Sequence, residues 1–275
     1  MTSFEETIIE AGQPGKQYFR DLWRYRELFL FLAWRDLLVR YKQTMVGVAW
    51  SLIRPALTMF ILTIVFGHFG NMPSGGVPYP LVVLCGLLPW QFFSTVLSDG
   101  GNSLVSNSGL VSKVYFPRLI IPAGGLITGL VDFFISLSLL ASVMIWYGWK
   151  PADNIFFLPL FVLFAMIVSF GAAAWASSLT VKYRDFRIIV PFAIQLGLYI
   201  SPVGFVSSIV PQRYQLLYAL NPMSGVIDGF RWSILGSQHP ILLQNMIVSF
   251  AVAIFILFSG IRYFRRAERT FADVI

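Results

Sequence analysis

Charge is scarce in this sequence. Asp, Glu, Lys and Arg make up 12% of its 275 residues, against about 25% in ordinary soluble domains. So little polar material cannot cover a folded chain of this size, which excludes a water-soluble enzyme or binding domain. Cysteine is nearly absent. The one thiol, Cys85, makes neither an intrachain disulfide nor a thiolate metal cluster, and within the apolar run 81–88 it reads as a small packing residue. The two histidines, His68 and His239, are far apart and have no ligand spacing, so no metal site is expected. The only Gly-Lys pair, Gly15-Lys16, is followed by Gln17, and Glu10 stands where a phosphate loop needs its first glycine. No Gly-x-Ser-x-Gly nucleophile elbow occurs. No catalytic residues are assigned. Residues 1–15 carry three glutamates and neither Lys nor Arg, so the basic start of a cleaved signal peptide is not seen there. No fixed-period repeat or low-complexity tract is present.

Apolar residues dominate instead, at 57% hydrophobic and 16% aromatic, with 26 Phe. A spanning helix needs about 20 predominantly apolar residues. Six stretches qualify: 46–69, 79–97, 119–147, 156–179, 188–210 and 241–261. The expected fold is therefore an all-α integral membrane protein of six spans. In the second stretch Gly86 and Pro89 leave a broken or re-entrant helix open. Of the 20 Lys and Arg, 17 fall in residues 16–54, between spans two and three, after span four, or after span six. Only Lys150, Arg213 and Arg231 remain for the other face, a bias that places both termini in the cytoplasm. The net charge of +7 is thus read as cytoplasmic anchoring rather than nucleic-acid binding.

Residues 18–42 differ from a span. On a helical wheel Arg20, Arg24, Glu27, Arg35 and Lys42 fall within an arc of about 80°, while Phe19, Leu22, Trp23, Leu30, Ala33 and Leu37 lie largely away from it. An amphipathic helix in the headgroup region fits this pattern; a broken juxtamembrane segment is the alternative. The connection 211–240 holds two short apolar patterns, 214–220 and 223–235, separated by Asn221-Pro222. They are too short to cross and too apolar for a solvated loop, so two re-entrant or outer half-helices are expected. The division is then an N-terminal tail at 1–17, an interface helix at 18–45, a six-span domain at 46–262 and a cytoplasmic tail at 263–275.

Asp132 is the one acid deep inside a span. Such a carboxylate is a functional candidate by default, either structural, in a transport path, or coupled to protons. The pairs Gly125-x-x-x-Gly129 and Gly225-x-x-x-Gly229 permit close helix contact. The loop from Asn107 to Arg118 mixes apolar, aromatic and basic residues. A short helix ending near Pro117 would present Val111, Val114 and Tyr115 to a soluble partner, or touch lipid.

Several segments, in order, resemble one family. They are Arg40-Tyr41-Lys42-Gln43-Thr44, Gly47-Val48-Ala49-Trp50-Ser51, Arg54-Pro55, and Gly86-Leu87-Leu88-Pro89-Trp90-Gln91-Phe92-Phe93. Then come Leu110-Val111-Ser112-Lys113-Val114-Tyr115-Phe116-Pro117-Arg118, Tyr183-Arg184-Asp185, Asn221-Pro222-Met223 and Phe271-Ala272-Asp273-Val274-Ile275. Over about residues 25–275 the chain resembles the type-2 ATP-binding-cassette permeases that export cell-surface polysaccharides or polyol phosphates. The resemblance implies a homodimer in the inner membrane with two separate ATPase subunits, moving a glycan on an undecaprenyl-diphosphate lipid such as O-antigen, capsule or teichoic acid. ATP and magnesium would then sit on the partner subunit, with no cofactor on this chain and no nucleic acid involved. A secondary transporter working through Asp132 and a membrane-embedded glycan-processing enzyme are the alternatives.

That reading assigns residues to tasks. Arg35, Arg40, Val111, Lys113, Tyr115, Phe116 and Arg118 are expected to dock the ATPase. Arg40, Lys42 and Arg54 are expected to meet the lipid diphosphate, because arginine grips phosphate oxygens with parallel charge-assisted bonds. Sugar rings present C–H faces that pack on aromatic rings. A channel lined by Trp50, Phe60, Trp90, Phe92, Phe93, Phe192 and Tyr199 is therefore expected at the dimer interface. Tyr214, Tyr218, Asn221, Pro222 and Met223 are expected to close its outer end.

Overall fold

The computed structural model describes residues 15–42, 47–238 and 240–271, and among these every regular element is a helix. Five helical stretches are long and apolar enough to cross a membrane: Gly47–Phe69, Tyr79–Ser106, Ile120–Trp146, Asp153–Lys182 and Leu243–Thr270. The chain is a multi-pass membrane protein. Gln43 and Thr44, His239 and the closing Ala272-Asp273-Val274-Ile275 lie outside the described residues.

The expected interface helix is two helices, α1 (Gly15–Arg24) and α2 (Arg26–Lys42), joined at Tyr25. α2 departs from the expected two-faced pattern. Leu32 and Ala33 are buried, whereas Leu30, Phe31, Trp34 and Leu38 are exposed. Arg35 and Arg40 turn inward because carboxylate and amide partners wait there, as described below, while Arg26 and Lys42 stay exposed.

α3 (Gly47–Leu62) continues into a π-helical turn, Thr63–Phe69. α4 (Tyr79–Ser106) runs unbroken through Gly86 and Pro89, which settles the open question in favour of a continuous helix. It is the core of the molecule, packed by α6, α7 and α10, and every residue from 81 to 90 is buried. A helix apolar on all sides is an interior one, and a proline walled in by neighbouring helices is tolerated there. α5 (Ser108–Lys113) is a short turn leading to α6 (Ile120–Trp146). α4 and α6 approach closely: a Cβ on Gly125 would lie 3.3 Å from the Gly100 nitrogen.

α7 (Leu158–Lys182) follows a 3₁₀ turn, Asp153–Phe157. The fifth expected span, 188–210, is instead α8 (Phe186–Ile200), which has only 15 residues. It stops because Ser201 is extended (ψ 152°) ahead of Pro202, and a proline disfavours helical backbone in the residue before it. Where half-helices are expected the chain forms two short helices, α9 (Gln212–Tyr218) and α10 (Pro222–Leu235). Asn221 caps α10 by accepting the Met223 N–H at 3.1 Å, and Pro222 occupies the first turn, where its missing N–H costs nothing. α10 is buried among α4, α7 and α11 (Leu243–Ala267) rather than lying on the surface.

Two apolar clusters result. The larger surrounds α4 and α10. The smaller, at the α5 end, joins Leu32, Leu104, Val111, Phe116, Ile120, Phe264 and Phe271.

Candidate functional site

The end of α2 and the starts of α3 meet α4 and α6 around a cavity of about 490 Å³. Its chemistry is set by one carboxylate. Asp132, on α6, accepts the Tyr41 hydroxyl at 2.5 Å and the Ser51 hydroxyl at 2.7 Å on one oxygen, and Arg40 at 2.5 Å on the other. Arg40 uses its second terminal nitrogen to reach Asp99 on α4 at 2.6 Å. One guanidinium from α2 therefore bridges two helices of the core. Asp132 is not solitary, because its cation comes from outside the spans.

Further along α2, Arg35 donates to the Asn107 side chain at 2.7 Å and pairs with neighbouring Asp36. The Tyr41 hydroxyl, partly buried and bonded to Asp132, has its pKa raised to about 12, first by burial and then by that bond. Arg54 also lines the cavity and is exposed, with no ion pair among the described residues. Trp50 and Trp90 add flat apolar faces, while Gln91, Thr95 and Ser136 add uncharged polar groups. Trp90 also packs on α8, where a Cβ at Gly197 would lie 2.5 Å from its ring. The cavity thus offers a cation, indole faces and hydroxyls together.

The expected site residues divide. Arg40, Arg54, Trp50, Trp90 and Phe92 line this cavity, although Trp90 and Phe92 are 5% and 3% exposed and mostly core. Lys42 is exposed outside it. Phe60, Phe192 and Tyr199 are exposed on the outer faces of α3 and α8, and Phe93 is half-buried against Trp90. In α5 and the loop after it, Lys113 and Tyr115 are exposed, but Val111 and Phe116 are buried in the smaller cluster. The short helix ends at Lys113, and the extended turn at Val114 sends Phe116 inward. Arg118 is occupied: its guanidinium donates to the Glu268 carbonyl, and its own N–H donates to the Glu268 carboxylate.

At the other end Tyr214 is exposed beneath the Arg213 guanidinium, and Tyr218 donates to the Ile200 carbonyl. Pro222 and Met223 are buried, and Asn221 is half-buried.

A family model described as ABC-2 type transporter matches residues 27–235. The chain belongs to this family. The match begins in α2 and ends with α10, so it takes in the cavity, Asp99 and Asp132. Among proteins similar to this ABC-2 chain is the O-antigen export system permease protein RfbA of Myxococcus xanthus. It is 27% identical over 260 residues, covering 93% of this chain and 98% of that protein. The RfbA of Klebsiella pneumoniae is 24% identical, covering 90% and 95%. The polysialic acid transport protein KpsM of Escherichia coli is 21% identical, covering 87% and 92%. These relatives are transport proteins, and this ABC-2 chain is a transport permease in the same sense.

Sequence reasoning missed Arg40, Tyr41 and Ser51 as partners of Asp132, and Asp99 as the second partner of Arg40. Tyr41 and Ser51 stood inside the family-like segments, and that was the available signal. Asp99 fell just beyond the second expected span.

Proposed function

We propose that the chain is the membrane subunit of an ATP-driven exporter for a cell-surface polysaccharide carried on a lipid diphosphate, O-antigen being the representative case. The carrying observation is the near end-to-end likeness to permeases named for O-antigen export. Two copies would face each other through α3 and α8, whose outward aromatics Phe60, Phe192 and Tyr199 are exposed. α8, about 22 Å long at 1.5 Å per residue, would complete a sixth crossing together with residues 201–206. Both termini would lie in the cytoplasm, where α2 and the exposed Lys113, Val114 and Tyr115 would meet two ATPase subunits that hold ATP and magnesium.

The cavity suits the junction of lipid and polymer. Arg54 would take a phosphate oxygen, Trp50 and Trp90 would take sugar faces, and the hydroxyl-bearing wall would exchange hydrogen bonds as the chain slides. Asp132 serves as the anchor of Arg40 in this scheme.

Deleting the gene in its host should remove the surface polysaccharide and accumulate lipid-linked polymer inside. Complementation with Arg54→Gln should restore protein level but no more than a tenth of the export rate. Full surface polymer in the deletion strain would overturn the reading, and full export by Arg54→Gln would overturn the phosphate role.

A further inference from the structure

Arg231 is the largest fully buried side chain of the described residues, 1% exposed on α10. Each of its three nitrogens points at a main-chain carbonyl of another element. Nε donates to Val82 on α4 at 3.2 Å, Nη2 to Val203 at 3.0 Å and Nη1 to Phe205 at 2.8 Å. The last two belong to residues 201–206, the irregular stretch after α8, where Ser201 N–H still donates to the Gly197 carbonyl at 2.8 Å and Val203 N–H to the Ser201 carbonyl at 2.7 Å. Backbone of this kind at membrane depth survives only if other groups satisfy it, and here side chains supply the bonds. Tyr79 donates to Gly204 at 2.6 Å, Tyr218 to Ile200 at 2.9 Å, and Asn221 to the Ser201 hydroxyl at 2.9 Å. Asp228 sits 4.0 Å from Arg231 and is held by Ser207 at 2.8 Å. Gly86 makes the room: a Cβ there would lie 3.0 Å from both the guanidinium and the Val203 oxygen.

α8 itself is held loosely. Along its length only Val190 is buried; its outer end meets the core through Gly197 against Trp90 and through Leu198, and residues 201–206 are the further hold on it. We propose that Arg231 is a positioning residue for transport: it clamps residues 201–206 onto α4 and thereby sets where the outer end of α8, with Tyr199, stands. Arginine suits the task because its planar fork serves three carbonyls at once, which a lysine ammonium does not match in geometry. Asn221 is part of the same device, since one side chain both caps α10 and holds Ser201.

The test uses the full chain in lipid nanodiscs, where both faces are open to reagent, on a Cys85→Ser background. Val203→Cys, at a fully buried position, reports the clamped segment. Ala174→Cys, equally buried but in the smaller cluster at the α5 end, reports general loosening. With Arg231 present both thiols should react slowly with a maleimide. Arg231→Met should speed Val203→Cys at least tenfold and leave Ala174→Cys within twofold, with Arg231→Lys between. Gly86→Ala, which keeps the charge and crowds it, should also speed Val203→Cys. A Val203→Cys rate within twofold of the parent in Arg231→Met and Gly86→Ala would overturn the clamp. So would equal acceleration at Ala174→Cys, which marks general unfolding. Neither labelling result depends on the exported substrate. In the assembled exporter, which rests on the proposed function, Arg231→Met should cut export at least tenfold while ATP hydrolysis continues; unchanged export alongside fast labelling would overturn the transport role alone.

Discussion

The bridge from Arg40 to Asp99 and Asp132 makes a quantitative prediction. Its side chains are 31%, 38% and 21% exposed. The ion pairs therefore fall between the surface case, worth about 0–1 kcal/mol, and the buried case, where removing one partner costs about 3–5 kcal/mol. Asp132→Asn keeps the shape, the hydrogen bonds from Tyr41 and Ser51, and the Arg40–Asp99 pair. It should cost about 1–2 kcal/mol, the worth of one charge-assisted bond discounted for its partial exposure to solvent. Arg40→Met leaves two carboxylates facing one another with no cation, and should cost about 2–4 kcal/mol. The triple variant Arg40→Met, Asp99→Asn, Asp132→Asn removes every charge together. It should recover about 1–2 kcal/mol of that loss, because the penalty lies mainly in the orphaned charges.

Unfolding by SDS titration in mixed micelles, followed by the fluorescence of the eight tryptophans, ranks the three; Trp50 and Trp90 line the same cavity as the cluster. An Arg40→Met variant no less stable than Asp132→Asn would refute the reasoning. A triple variant as unstable as Arg40→Met would do the same, since the cost would then come from packing of the arginine stem.

Three further outcomes follow from particular contacts. Tyr115 is 55% exposed and Phe116 3%, so Tyr115→Asp should leave the thermal midpoint unchanged and abolish co-purification with the partner ATPase. Phe116→Asp should lower the folded yield itself; equal midpoints for the two variants would contradict this. On α10 a Cβ at Gly229 would stand 2.1 Å from the Phe161 ring, and Gly229→Ala should cost about 1–3 kcal/mol by overpacking, read by the same SDS titration. The Tyr41 phenol has its pKa raised from 10.0 to about 12, so the folded state holds that proton more tightly. Its stabilising effect is complete below pH 10 and is lost as pH rises through about 12. Tyr41→Phe should therefore flatten the alkaline limb of a stability profile, and an unchanged slope would count against the assignment.

The spans were legible because twenty apolar residues leave few alternatives in a chain with so little charge. The limits of that reading appear in α4 and α8. Gly86 and Pro89 suggested a break in α4, yet α4 is continuous because neighbours wrap it on every side, a fact of packing that no local pattern records. In α8 the apolar run continues past Ile200, so composition alone extended the helix. Pro202, and the extended Ser201 before it, end it. The glycine pairs at 125 and 129 and at 225 and 229 carried little weight as spacings, yet all four meet close neighbours: Gly100, Val96, Ser249 and Phe161 respectively.

The partners of the two arginines that matter most escape a sequence reading for a common reason. Arg40 is assigned there to ATPase docking and the lipid diphosphate, and Arg231 is counted with the few charges of the outer face. A wheel or a charge count records where a cation begins, at its Cα, whereas an arginine ends several ångströms away at three nitrogens that must find acceptors. In water the solvent supplies them, and the count is a fair guide. Within an apolar body the acceptors are specific: carboxylates 59 and 92 residues distant for Arg40, and carbonyls of a broken helix 26 and 28 residues back for Arg231. The signal lay in α10, where an arginine stands among residues apolar enough to be core. Such a residue has to be paired inside the fold, so an unexplained arginine in a short apolar helix points to irregular backbone nearby in need of donors. Asp228 three residues earlier, together with Ser201 and Pro202 upstream, supplies both halves of that pattern.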